Sequence, residues 1–155
     1  MADLNQTFWD RLSDSRTGML SAQNAPAAPM THYVDAEHRA LWFITAKGTD
    51  LGKAAAGGST AQYIVSDNDA HIYARIDGKV HSVNDPAKLE ELWSIIAAAW
   101  FEDGKQDDDL ELIRMDLSEA EVWSTGGALS FFYEIAKANL GGSKPDMGEH
   151  GTLRF

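Results

Sequence analysis

The chain has 155 residues, 44% hydrophobic and 24% charged, and its 24 acidic against 13 basic side chains leave a formal net charge of -11. That length buries a sizeable core in a single domain, 1–155, and with no cysteine present neither disulfides nor thiolate metal sites are available. The acidic balance argues against nonspecific binding to nucleic acid or to an anionic membrane, although a local pair of lysines still attracts an anionic small ligand within a Debye length.

In chain order, Asn5 is placed to cap a first helix running to about Ser13, whose Phe8, Trp9 and Leu12 make one apolar face. Thr17 to Gln23 reads as a strand and Asn24 to Ala28, with Pro26, as a turn of small residues. Pro29 to Asp35 and Leu41 to Thr45 are apolar, β-branched or aromatic, and flank a charged turn, which is a hairpin signal. The loop after it crowds Thr45, Lys47, Thr49, Asp50 and Lys53 into nine residues. Hydroxyls, backbone N–H groups and a lysine at a strand end are ingredients for holding a phosphate, and a solvated loop carrying lysines is the plainer alternative.

Ala54 to Gly58 predicts a helical turn that stops at glycines. Thr60 to Ser66 is a strand, Asp67 to Asp69 a turn, and Ala70 to Val83 a long half-buried strand with a bulge at Gly78. Asp85 caps a helix with Pro86 in its first turn, and Leu89, Leu92, Trp93, Ile96 and Trp100 fall on one face as far as Phe101. Glu102 to Asp109 is an acidic loop, and its three consecutive aspartates read as solvated rather than as a metal site. Leu110 to Leu117 and Ala120 to Ser124 predict two strands around Ser118-Glu119. Leu129 to Leu140 predicts a last helix, and 143–155 a polar tail. Short connections between strands favour an antiparallel barrel or curled sheet with helices at its ends.

No nucleophile elbow, no pair of histidines at metal spacing and no glycine-rich dinucleotide turn is present. The N-terminus lacks a basic segment followed by an apolar run, and no apolar stretch approaches membrane-spanning length, so a cytoplasmic protein is expected. Five tryptophans are many for so short a chain, and such rings often end in interfaces or around planar ligands.

The ordered series Pro29-Met30, Leu41-Trp42-Phe43-Ile44-Thr45, Lys53, Gly78, Asp85, Leu92-Trp93, Trp100-Phe101, Gly104 and Val122-Trp123 resembles the pyridoxamine 5'-phosphate oxidase-like FMN-binding split barrels, in particular their general stress protein 26 subgroup. The resemblance runs from the first helix to Trp123. It implies a mainly β fold with helices, a six-stranded antiparallel split β-barrel, and a homodimer holding FMN at the subunit interface. It places the phosphate on Thr45, Thr49, Asp50 and Lys53, and the backbone of Met30 and Thr31 at the flavin ring edge. Trp42, Phe43 and Ile44 line the site, Gln62 contacts the cofactor, and Trp100, Phe101 and Trp123 are walls supplied by the partner subunit.

Two departures bear on this expectation. Where the subgroup usually has Arg-Pro-Met the chain has Ala28-Pro29-Met30, which removes a cation that Lys47 is placed to replace. The chain ends Leu153-Arg154-Phe155 without the Arg-Leu-x-Pro-like motif of true pyridoxamine-phosphate oxidases, so that reaction is not expected. What remains is a flavin-dependent oxidoreductase of unknown substrate. The alternatives are a flavin-binding stress protein without turnover, a split barrel with haem or a deazaflavin, or an empty barrel acting as an interaction module.

Overall fold

The computed structural model describes residues 3–93, 99, 101, 103–124, 135–136, 139–141 and 149–155. These residues form α1 (Leu4–Asp14), β1 (Thr17–Ala22), β2 (Ala25–Thr31), β3 (Tyr33–Asp35), β4 (Ala40–Ala46), α2 (Asp50–Gly57), β5 (Ser59–Asp67), β6 (Ile72–Ser82), α3 (Pro86–Leu92), β7 (Leu110–Ser124) and β8 (Glu149–Arg154). All eight strands belong to one antiparallel sheet, ordered β2-β1-β5-β6-β7-β4-β3, with β8 also pairing β7.

The sheet has to curl. β2 and β3 are its two opposite edges, yet only His32 separates them in the chain. A single residue spans about 3.8 Å between Cα atoms, so the edges can be joined only if the sheet rolls round until they meet. The result is the split barrel expected from the sequence, with His32 at its seam. The strand count is eight rather than six, because the chain breaks at His32 and because the expected polar tail is a strand.

Side chains from the concave face fill the barrel: Leu20, Leu41, Phe43, Tyr63, Val65, Ile72, Ile76, Ile113 and Met115 are all buried. α1 adds Phe8, Trp9 and Leu12, and α2 adds Leu51 and Ala55. Asp3 rather than Asn5 caps α1: its Oδ1 accepts the Asn5 N–H at 3.3 Å, and the helix begins two residues earlier than an Asn5 cap would set it. The turn expected over Asn24 to Ala28 shrinks to Gln23-Asn24, where Asn24 takes a left-handed φ of 61°. Pro26 and Pro29 then lie within β2, which tolerates them because it is an edge strand with unpaired positions.

β7 is one 15-residue strand where two were expected. Ile113, Met115 and Leu117 face the core before Ser118, and Ala120, Val122 and Ser124 face it afterwards. Asp77 pairs Glu119 while its neighbour Gly78 pairs Leu117, so Ser118 is the extra residue of a bulge. The irregularity expected at Gly78 is present, with the inserted residue on the opposite strand. Along its other edge β7 pairs β4 through 110–116 and β8 through 119–124.

The expected polar tail is therefore structural. Phe155 follows β8 and its ring centroid lies 5.7 Å from both Phe8 and Trp9, while its N–H donates to the Ser118 carbonyl at 3.0 Å. α3 is capped as expected, Asp85 Oδ1 accepting the Lys88 N–H at 3.0 Å. It stops at Leu92, where Trp93 turns to extended backbone with ψ 132°, well short of Phe101. Ile96 lies outside the described residues, as does most of the expected helix from Leu129 to Leu140. Among the described residues no helix is long and apolar enough to cross a membrane.

Candidate functional site

The junction of β4 with α2 brings Thr45, Thr49, Asp50 and Lys53 together. Thr49 caps α2: its Oγ1 accepts the Gly52 N–H at 3.0 Å and donates to the Ala46 carbonyl at 2.7 Å. Thr45 Oγ1 lies 3.4 Å from Thr49 Oγ1. The Lys53 N–H closes the first turn on the Thr49 carbonyl at 3.0 Å. Helix α2 thus starts at Asp50, not after Lys53, and Lys53 stands in its first turn. Gly52 makes this turn possible, since a Cβ there would sit 2.4 Å from the Ala46 carbonyl oxygen.

The chemistry of the junction follows from these bonds. The Thr49 hydroxyl spends its proton on Ala46, so towards an anion it contributes by shaping the helix start rather than by donating. The N-terminus of α2 carries the positive end of the helix dipole and backbone N–H groups suited to phosphate. Lys47 and Lys53 are exposed, and neither forms an ion pair among the described residues. The Lys47 N–H is tied to the Asp109 carbonyl at 2.8 Å, which holds the intervening loop against β7. Asp50 is a like charge to a phosphate here; its carboxylate complements the helix dipole and only its backbone suits an anion.

The β4 run Trp42-Phe43-Ile44 does not share a face, because side chains alternate along a strand. Phe43 is 0% exposed and its ring lies 5.0 Å from Tyr63 inside the barrel. Trp42 and Ile44 face outward. Trp42 is nevertheless sealed: its indole N–H donates to Asp35 Oδ2 at 3.1 Å, and Lys88 and Arg114 lie over the ring at 5.2 and 5.6 Å. Burial pushes the Asp35 carboxyl up, but hydrogen bonds from Trp42 and His38 outweigh it and hold the group below the usual carboxylate range.

Met30 and Thr31 lie at the end of edge strand β2, paired with Gly18 and Thr17 of β1. The Met30 carbonyl oxygen lies 3.0 Å from the Tyr63 hydroxyl. Gln62 stands elsewhere, donating to Asp77 Oδ1 at 3.0 Å. It lines an open groove of about 740 Å³ with Ser21, Lys79, His81, Asp116 and Ser118, which contains none of the β4–α2 residues. Phe101 is buried, 6.3 Å from Trp93, and Trp100 lies outside the described residues.

Trp123 is 36% exposed and stacks on His150 of β8 at 5.0 Å with rings 6° apart. It is twelve residues along β7 from Glu111, the partner of Thr45, a contour of roughly 40 Å at strand rise. The two ends of β7 cannot serve one ligand in one chain. Two of the five tryptophans, Trp9 and Trp42, are accounted for by this chain's own packing. Sequence reasoning left His32 and Tyr63 without a role, although both are buried, they bond to each other, and Tyr63 reaches Met30 of the β2 edge.

A curled antiparallel sheet split along one seam, with helices over its core, defines a split-barrel protein. The chain belongs to the pyridoxamine 5'-phosphate oxidase like family, whose model matches residues 3–146. It is similar to the crystal structure of a general stress protein 26 from Jannaschia sp. CCS1, at 44% identity over 100% of both chains with a TM-score of 0.91. A general stress family protein from Xanthomonas campestris pv. campestris is 32% identical over 83% of this chain and 93% of its own, with a TM-score of 0.70. The general stress FMN/FAD binding protein of Xanthomonas citri is 31% identical over 81% and 91%, with a TM-score of 0.71. No curated protein matches the sequence.

Proposed function

We propose that this chain is an FMN-binding protein of the general stress protein 26 type. The observation that carries the reading is the β4–α2 junction, where two exposed lysines, without an ion-pair partner among the described residues, flank a capped helix N-terminus in a family with an FMN/FAD-binding relative. Lys53 and Lys47 neutralise the phosphate, and the backbone at Thr49 and Asp50, with the Thr45 hydroxyl, fixes its position. Met30 and Thr31 offer edge-strand backbone to the ring, and Ile44 an apolar contact. Gln62 and Trp123 stand away from this junction, and their role, with that of Trp100, is across a homodimer interface, where Trp123 of one subunit reaches the other's site. Phe101, enclosed against Trp93, backs that wall rather than touching the flavin.

FMN, once bound, supplies hydride or electron transfer. The chain's own contribution is to bind and orient it. We read the protein as a flavin-dependent oxidoreductase of unknown substrate. A visible spectrum of protein purified without added cofactor, followed by FMN titration with tryptophan fluorescence, tests binding. The expected result is a flavin spectrum, or saturable quenching at about one FMN per chain. A folded protein giving neither overturns the proposal. Oxidation of a reduced nicotinamide by the loaded protein then separates an enzyme from a flavin carrier.

A further inference from the structure

The seam of the barrel holds a buried polar chain whose hydrogen bonds go beyond what packing or the flavin reading requires. His32 is 5% exposed, and Tyr63 is fully buried. His32 Nε2 lies 2.9 Å from the Leu12 carbonyl of α1, and Nδ1 lies 2.6 Å from the Tyr63 hydroxyl. That hydroxyl also stands 3.0 Å from the Met30 carbonyl of β2. To get there the Tyr63 ring passes over Gly18 of the intervening strand β1. A Cβ on Gly18 would lie 2.6 Å from the ring, so only glycine leaves the passage open.

Counting protons shows that the chain has two states. A carbonyl only accepts, so the Leu12 oxygen fixes a hydrogen on His32 Nε2. In neutral His32 the Nδ1 is then an acceptor. The Tyr63 hydroxyl has one proton and faces two acceptors, Nδ1 and the Met30 oxygen, and Nδ1 is the nearer. In cationic His32 both ring nitrogens donate. Tyr63 must then accept from Nδ1 and turn its own proton to Met30.

We propose that His32 and Tyr63 form a proton-coupled clamp on the barrel seam, in which the charge of His32 decides whether the Tyr63 hydroxyl bonds to His32 or to the Met30 carbonyl of edge strand β2. Every group around it fits this assignment. From α1 and its C-cap come the Leu12 carbonyl and the backbone of Ser15; just before β1, the Arg16 carbonyl accepts the His32 N–H at 3.2 Å. From β5 come Tyr63 and Asp67, the two titratable neighbours, and from β4 the apolar ring of Phe43 against Tyr63. Burial pushes the Tyr63 hydroxyl far up, so it keeps its proton throughout. Burial pulls His32 below its ordinary value, against smaller opposing effects of the Leu12 and Ser15 bonds and of Asp67. His32 is thus neutral at pH 7. As pH falls below the ordinary histidine value the unfolded chain takes up this proton before the folded one does, so the folded state loses stability in that window.

The test is carbon and nitrogen NMR on the labelled full chain from about pH 8 down to the lowest pH at which it stays folded, because burial carries the His32 titration below the ordinary histidine range. At the upper end Nδ1 of His32 should resonate as an unprotonated ring nitrogen. The Met30 carbonyl carbon should then shift in step with His32 as pH falls, and Tyr63→Phe should abolish the coupled shift. A Met30 carbonyl that ignores the His32 titration, or one that follows it equally in Tyr63→Phe, overturns the clamp. If Tyr63→Phe does not fold, His32→Gln decides the matter, since the clamp requires it to remove the pH dependence at Met30. The bearing on ligand rests on the flavin reading: FMN affinity should vary over the same window. Absence of FMN binding at every pH would defeat that reading, and the carbonyl shift would still judge the clamp.

Discussion

Removing residues 149–155 should strip the fold of a large part of its stability and expose a dye-binding apolar surface. β8 contributes six cross-strand pairs to β7, and Phe155 closes over Phe8 and Trp9. Phe8 is 0% exposed, so loss of its cover opens the core directly. Phe155→Ala alone should cost about 3 kcal/mol, the lower end for a buried phenylalanine because this ring is partly exposed. For a chain of this length that lowers the melting temperature by roughly 6–12 °C. The deletion should exceed it, since the β7 edge over Glu119–Ser124 would also lose its hydrogen bonds. Thermal melting followed by circular dichroism, with a fluorescent apolar dye, gives both readings. A truncated chain that melts like the full one would mean that β8 is an ornament on β7, and that α1 is held by the barrel alone.

Lys53→Ala should weaken FMN binding by about ten- to a hundredfold, the usual worth of a charge-assisted hydrogen bond to phosphate. Lys53 stands in the first turn of α2, where the Thr49 cap fixes the backbone, so the charge is lost without disturbing the helix start. Lys47 is the informative control. It lies on the turn before Thr49, and its N–H is anchored to Asp109. If it stands in for the arginine absent at Ala28, Lys47→Ala should cost a comparable factor, and both losses should shrink as salt rises. Unchanged affinity in Lys47→Ala would rule out that compensation. Unchanged affinity in Lys53→Ala would move the phosphate away from the β4–α2 junction altogether.

Most of the barrel was legible because its strands obey simple periodicities. β5 and β6 alternate cleanly, and Asp85-Pro86 announces α3 by capping chemistry. The failures have identifiable causes. Glu149 to Phe155 carries only two large apolar residues, Leu153 and Phe155, so its strand character comes from pairing with β7 rather than from local propensity. The proline-bearing start of β2 reads as a turn unless one knows that it forms an edge. α3 stops early, at Leu92, where Trp93 turns to extended backbone although the apolar spacing runs on past it. For the site, the phosphate segment was visible because lysines and hydroxyls cluster in sequence. The sealing of Trp42 was not, because Lys88 comes to it and to Asp35 only through tertiary structure.

Ser118 has a consequence for how β7 tolerates change. Its side chain is exposed and bonds to the Asp77 carbonyl, so almost any residue can occupy the position. Its presence sets the bend of β7 rather than the facing of its side chains. Inward positions are odd-numbered as far as Leu117 and even-numbered from Ala120, so Ser118 and Glu119 are two successive outward residues between two inward ones. Deleting Ser118 would leave Leu117, Glu119 and Ala120 in plain alternation, with Val122 and Ser124 still facing the core and the pairing to β6 without its bulge. A substitution library at this residue should yield folded protein with nearly every side chain, and the one-residue deletion should also fold, with a straighter β7. Position 118 therefore carries its information as curvature, not as chemistry.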